Sequence, residues 1–203
     1  MTKLPSLKVR KQMLGAVAGI LSPVIAFACI LLAIASHHSF SWTNNALSDL
    51  GVIKGFTGVL FNFGLIIGGF LGLVFAKLGL YDHIAKNFVG KTGALVFAAT
   101  TLVLVFIGIF NENFGVIHYE FSVAFFVLAP ISVFILTCAF GLAHQLRMVV
   151  LTLATGVVAA LPWLLQFAFS YVPNVAVPET ISGLAISAWT IALSYEIMKQ
   201  AKN

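Results

Sequence analysis

The sequence predicts an all-α, polytopic membrane protein, a bundle of six transmembrane helices with both termini in the cytoplasm. Three observations support this prediction. Of the 203 residues, 61% are hydrophobic and only 8% are charged, against about 25% charged residues in an ordinary soluble domain. The apolar residues form runs long enough to cross a bilayer, and basic residues gather at alternate ends of these runs. A soluble enzyme, a nucleic-acid-binding domain, a disordered chain and a disulfide scaffold are therefore excluded.

The first three helices lie between charged residues. The first follows a basic tail that ends at Lys11, and its apolar stretch is longer than the core of a signal peptide, so we expect it to be uncleaved. The second lies between Lys54 and Lys77, and the third between Lys91 and Glu112. Each stretch is close to the roughly 20 residues that a spanning helix needs. The predicted spans cover residues 14–35, 56–78 and 90–110.

The last three helices follow the same rule. The fourth lies in the uncharged run between Glu120 and Arg147, and the fifth in the run from Arg147 to Glu179. The sixth is the shortest, because Glu196 interrupts it near its end. These spans cover residues 118–141, 149–169 and 179–198. With no linker between the helices, we expect a single transmembrane domain over residues 1–203.

The basic residues predict the orientation of the bundle. By the positive-inside rule, the face that carries them is cytoplasmic, which places the protein by default in the cell (plasma) membrane. Lys54 is the exception, whereas Asp49, Glu112, Glu120 and Glu179 fall on the outer face. The basic residues on the predicted inner face are Lys3, Lys8, Arg10, Lys11, Lys77, Lys86, Lys91, Arg147, Lys199 and Lys202.

Small residues predict how the helices pack. In lipid, close backbone contact holds helices together, and small side chains permit it. The second helix carries one nearly continuous stripe of this kind, made of Gly55, Gly58, Asn62, Leu65, Gly69, Gly72, Ala76 and Gly79. We interpret it as packing within the bundle, with a homo-oligomer or a membrane complex as the alternative. Membrane lipids are the other expected partner, and no nucleic acid is expected.

The outer loops carry the residues that could bind a metal ion or take part in a reaction. Asn45 and Asp49 are four residues apart, so a short helix would place them on one face. Imidazoles and carboxylates bind zinc and perform acid–base chemistry. One interpretation is therefore an outer site, catalytic or metal-assisted; the other is that these residues cap helices and face water. The site interpretation assigns His118, Glu112 and Asp49 as catalytic, Asn45, Ser48 and Asn62 as substrate-binding, and His37, His38 and His118 as possible zinc ligands.

These residues also carry a family resemblance. Residues 45–51 read N-A-L-S-D-L-G, which resembles a signature of the small six-helix prokaryotic membrane proteins catalogued as domain of unknown function 998. Residues 61–64 and 108–126 resemble two further blocks, and there is a more distant likeness to the eukaryotic DRAM-type proteins. The resemblance implies a six-helix bundle with marked residues at its outer face, and it implies no reaction. Those residues are Asn45, Ser48, Asp49, Asn62, Glu112 and His118.

Three functions follow as hypotheses. The first is a non-enzymatic structural, accessory or lipid-interacting bundle with a polar outer-face site. The second is an outer-leaflet hydrolase or transferase for a lipid or lipid-linked substrate, in which His118 with Glu112 or Asp49 activates water. The third is a small-solute carrier, which needs a polar path to the inner face. Convergence of the polar side chains at the mouth of a cavity distinguishes the second hypothesis from a purely structural role.

Overall fold

The computed structural model describes residues 6–84 and 86–202, and the described chain is mostly helical and contains no strand. Six helices are long and apolar enough to cross a membrane. The predicted residue Lys3 lies outside the described residues, as does the side chain of Lys202. The helices are α1 (Leu7–Ser36), α2 (Phe56–Val74, continued by a π-helical segment, Phe75–Ile84), α3 (Phe88–Ile109), α4 (Val116–Leu142), α5 (Leu146–Phe169) and α6 (Ala176–Lys202).

Each predicted span coincides with one of these helices, so the predicted six-helix fold is confirmed. The largest difference is at the start of α1, which begins at Leu7 because the basic tail itself is helical. Ser6 caps this end, its hydroxyl accepting a hydrogen bond from the Val9 amide at 3.4 Å. The second span also extends further than predicted, because the helix widens into the π-helical segment instead of ending.

The helices form a closed ring in chain order. Each packs against its neighbours in the sequence, and α6 closes the ring by packing against both α5 and α1. Two short 3-10 turns lie in the loops, one at Ser48–Val52 between α1 and α2 and one at Glu112–Phe114 between α3 and α4. We call the end with these turns the acidic end. The opposite end, where α1 begins, is the basic end.

The small residues of α2 pack inside the bundle. A Cβ atom added to Gly69 would lie 2.7 Å from the Thr101 carbonyl oxygen of α3, and one added to Gly68 would lie 2.9 Å from Ala26 Cβ of α1. The larger apolar side chains of α2, such as Phe63 and Phe70, are exposed and face the surrounding lipid. The glycines thus bring α1 and α3 close to α2, as expected for helix packing in a bilayer.

The interior divides into two halves. Toward the basic end, which we call the packed half, large side chains fill the space, and the Phe97 ring contacts Phe75 and Trp189 at centroid distances of 5.9 and 5.6 Å. Toward the acidic end, which we call the cavity half, a cavity of about 130 Å³ lies between the helices. The fully buried Leu50 of the Ser48–Val52 turn belongs to the apolar cluster of this half.

Candidate functional site

The Ser48–Val52 turn is held by the aspartate that the sequence singles out. Asp49 Oδ2 accepts hydrogen bonds from Asn45 Nδ2 at 2.6 Å and from the Ala46 amide at 3.1 Å. Asn45 Oδ1 in turn accepts from the Ser41 amide at 2.9 Å. The spacing of four between Asn45 and Asp49 therefore does bring the two side chains together. Their direct role is to fix the loop that precedes α2.

A second carboxyl joins two loops. The Ser48 hydroxyl donates a 2.6 Å hydrogen bond to Glu112 Oε1, which links the Ser48–Val52 turn to the Glu112–Phe114 turn. Burial raises the pKa of the Glu112 carboxyl above its usual value. The Ser48 hydrogen bond and the charge of His118 lower this pKa, whereas the charge of Asp49 and a hydrogen bond with it raise it. Two of the three residues assigned as catalytic, Asp49 and Glu112, thus lie on the two turns that this hydrogen bond joins.

Glu179 forms the third carboxyl of the acidic end. It lies in the first turn of α6 and is only 8% exposed. Its Oε2 atom accepts a 2.6 Å hydrogen bond from the Leu47 amide, so α6 holds the residue just before the Ser48–Val52 turn. Asp49 and Glu112 are near enough to act on Glu179 through their charges. The three carboxyl groups form what we call the carboxyl cluster.

His118 links α3 to α4. Its Nδ1 atom donates to the carbonyl oxygen of Phe110 at 2.7 Å, just beyond the end of α3. In the neutral ring Nε2 is then the acceptor, and the Ser122 hydroxyl lies 3.3 Å from it. Both nitrogens therefore have protein partners, and the ring is only 6% exposed. This geometry explains His118 as a structural link, while its assignment as a base that activates water stays a prediction.

Asn62 binds the same loop from α2. Its Nδ2 atom donates to the Gly51 carbonyl oxygen at 2.8 Å, and Asn111 Nδ2 approaches that oxygen at 3.4 Å. Asn62 Oδ1 is buried and has no hydrogen-bond partner among the described residues. A Cβ atom on Gly51 would lie only 2.6 Å from it, so the loop packs directly on the amide. The substrate-binding roles assigned to Asn62, Asn45 and Ser48 remain predictions.

The structure does not gather the histidines assigned to zinc. His37 pairs with Ser39, the two side chains meeting at 2.9 Å, and His38 is exposed. His118 is buried at the start of α4. Among residues 6–84 and 86–202, no three histidine, cysteine, aspartate or glutamate side chains form a group that could hold a metal ion. Zinc therefore has no ligand set of this kind in the described part of the chain.

The cavity extends inward from the carboxyl cluster. Its outer wall includes Ser48, Ser122 and Glu179, and its walls are otherwise mostly apolar. Five helices contribute to it, and α5 does not. Its volume of about 130 Å³ is close to that of an engineered apolar cavity of about 150 Å³ that binds benzene. The apolar side chains around it include Ala26, Phe27, Ile30, Leu47, Phe61, Leu65, Phe97, Leu104, Ile107, Phe125, Phe126 and Ile186.

The sequence profile of a family described as "Protein of unknown function (DUF998)" matches residues 20–196. The chain belongs to the DUF998 family. This range contains α2 to α5, most of α1 and α6, and every residue of the carboxyl cluster, and the expected resemblance to this family is thereby confirmed. No curated protein and no solved structure shows significant similarity to this DUF998 protein. It is a multi-pass membrane protein with six apolar helices.

Sequence reasoning missed two residues of this DUF998 site. The sequence marks Glu179 only as an acid of the outer face, and Ser122 is not among the expected site residues, yet both line the cavity. A signal for Glu179 was present, because a carboxyl at the start of an apolar helix must find a partner or face water. For Ser122 the signal is weaker, since a helix rotation decides whether it faces the cavity or the lipid.

Proposed function

We propose that this DUF998 protein binds a membrane amphiphile, with the hydrocarbon group in the cavity and the polar group at Glu179 and Ser48. The cavity with a buried carboxyl at its outer end is the observation that carries this proposal. An apolar chamber with a few convergent polar groups at one end is the usual form of a small-molecule site. The proposal makes the lipid-interacting bundle the leading function.

The size of the cavity limits what enters it. A volume of about 130 Å³ holds a group about as large as benzene, or about six carbon atoms. A longer chain must therefore continue between the helices. The packed half lies between the cavity and the basic end, and its aromatic residues Phe97 and Trp189 are buried. This favours a site that holds one apolar group over a polar path for a solute across the bundle.

The experiment uses a hexanol that carries a photoreactive diazirine at its terminal carbon. The full-length protein is reconstituted in phosphatidylcholine vesicles, exposed to the probe, irradiated, and the labelled residues are mapped by mass spectrometry. We expect labelling of cavity residues such as Phe97 and Thr101, and we expect unlabelled hexanol to suppress it. The exposed residue Phe70 serves as the control for probe that is dissolved in the bilayer. Labelling of Phe70 should not saturate.

A pair of variants tests whether the probe binds inside the cavity. Ser187 lines the cavity, so Ser187→Leu should fill part of it and reduce cavity labelling at least fivefold. The next residue, Ala188, is exposed on the same helix, so Ala188→Leu adds the same bulk outside the cavity and should leave labelling unchanged. Labelling that does not saturate, or that is equal in wild type and a folded Ser187→Leu variant, would contradict the proposal.

A further inference from the structure

The geometry points to a positively charged head group on the bound amphiphile. The inference rests on the proposed function and adds the class of ligand: an alkyl amine or a lipid with an ammonium group, placed beside the buried Glu179 carboxyl group. A chain with the same hydrocarbon group and a neutral or negative head would bind the same cavity more weakly.

The first argument is the position of the Glu179 carboxyl. It is more than nine-tenths buried and lines the cavity, among the apolar side chains of Leu47 and Ile30. Its Oε2 atom is held by the Leu47 amide. A carboxylate in apolar surroundings is costly unless a cation or further hydrogen bonds stabilise it. An ammonium group at the outer end of the cavity would supply both.

The second argument is the charge around Glu179. Asp49 and Glu112 lie on the two turns that the Ser48–Glu112 hydrogen bond joins, and Glu179 binds the Leu47 amide just before the first of these turns. In the described parts of the chain, the ion pairs are Lys77 with Asp82 and Arg147 with Glu196, and neither contains a member of the carboxyl cluster. The base facing this group is His118, which acts on Glu112 and is held by Phe110 and Ser122. The cluster therefore lacks a paired lysine or arginine from the described protein.

A cationic head group fits the surroundings of Glu179 better than an anionic head group or a metal ion does. An anionic head would lie beside the Glu179 carboxyl group at the cavity wall, and repulsion between like charges in a site of low polarity is strong. A bare metal ion needs several ligands converging on one point, and the described side chains form no such group. An ammonium group needs only one carboxylate nearby, while its chain occupies the apolar cavity.

The test compares three photoreactive probes with the same six-carbon chain: hexylamine, hexanol and hexanoate. Each is applied at equal mole fraction to the full-length protein in phosphatidylcholine vesicles at pH 7.4, and saturable labelling of the cavity is measured. We expect the amine to show at least tenfold higher apparent affinity than hexanol, and hexanoate the lowest. Competition with unlabelled hexylamine should follow the same order.

The variants separate a specific pair from general attraction to an acidic end. Glu179→Gln keeps the acceptor for the Leu47 amide and removes the charge, so the amine should lose most of its advantage over hexanol. Glu120→Gln removes a charge from an exposed residue of α4 at the same end and should leave the advantage unchanged. Hexanol labelling should persist in both variants, which shows that the cavity is intact.

The outcomes distinguish failure of this inference from failure of the proposed function on which it rests. If hexanol labels the cavity saturably but hexylamine binds no better, or if Glu179→Gln keeps the full preference for the amine, the inference is wrong and the proposed function stands. If Glu120→Gln removes the preference as fully as Glu179→Gln, the attraction is a general surface effect and the inference also fails. If no probe labels the cavity saturably, the proposed function itself is wrong.

Discussion

The packed half and the cavity half belong to the same six helices but fill the space between them differently. Toward the basic end, Trp189 and Phe97 are almost fully buried, and Trp189 Nε1 donates to Thr152 Oγ1 at 3.0 Å. Toward the acidic end the helices enclose a cavity, and polar groups tie the loops across its mouth. The difference shows that side chains fill one half and that the other half leaves a space beside its polar groups. Three predictions test this division.

The largest expected effect comes from removing bulk. Ile197 is fully buried in the packed half, whereas Ile107 lines the cavity. We expect Ile197→Ala to lower the free energy of unfolding by about 2 kcal/mol or more, because its neighbours cannot fill the space. Ile107→Ala should cost clearly less, since Ile107 lacks packing partners on its cavity side. Reversible unfolding in mixed micelles, followed by tryptophan fluorescence, measures both. Equal losses would show that the two halves are packed alike.

A smaller effect is expected from adding bulk to the packed half. Gly19 of α1 faces Ser194 and the Phe75 ring, and a Cβ atom there would overlap both. Gly19→Ala should therefore lower the free energy of unfolding by about 1–3 kcal/mol, the usual cost of overpacking. Ser187→Leu adds more volume but enters the cavity, so it should cost less than Gly19→Ala. The same unfolding measurement decides, and a larger loss for Ser187→Leu would contradict the division.

The smallest effect concerns the carboxyl groups of the two ends. The pKa of Glu112 is raised above its ordinary value of 4.5, so the folded protein holds this proton more tightly than the unfolded chain does. Its contribution to stability therefore falls as the pH rises from about 4.5 through the folded-state pKa. Glu112→Gln keeps an oxygen for the Ser48 hydrogen bond and should remove this fall, which makes the variant relatively more stable at neutral pH.

The control for this prediction is a carboxyl group at the basic end of the bundle. Glu196 pairs with Arg147 at 3.1 Å, and the arginine side chain is 82% exposed. Glu196→Gln should lower stability by less than about 1 kcal/mol, the usual range for a surface ion pair. The measurement is the unfolding midpoint of wild type and both variants between pH 4 and pH 8. A difference between wild type and Glu112→Gln that does not change with pH would contradict the pKa argument.

The sequence predicts the fold well because the bilayer restricts the chain so strongly. Charged residues such as Lys54 and Arg147 mark where a helix must leave the hydrocarbon, so the six helices follow from their positions. The π-helical segment Phe75–Ile84 does not follow in this way, because tertiary contacts shape it. There, α1 approaches so closely that a Cβ atom on Gly15 would lie 2.7 Å from the Gly79 amide nitrogen.

The site was predictable only where its contacts are local. The spacing of Asn45 and Asp49 predicts that a short helix would place both residues on one face. The two side chains do meet at 2.6 Å, although Asn45 lies before the Ser48–Val52 turn. The bond between Ser48 and Glu112 joins residues 64 positions apart, and only the packing of α2 against α3 brings their loops together. The inward position of Glu179 depends on the rotation of α6, which its sequence alone does not fix.

One feature of the loops bears on how the protein is made. Residues near the end of the chain hold the loop after α1: the Asn174 and Ala176 amides donate to the Thr43 and Asn45 carbonyl oxygens, each at 3.0 Å, and Glu179 binds the Leu47 amide. During synthesis, α1 leaves the ribosome long before α6. The first loop must therefore wait, with these backbone groups paired to water, until the last helix enters the membrane. A nascent chain that stops before α6 would reach the bilayer with five helices and without the α6 wall of the cavity.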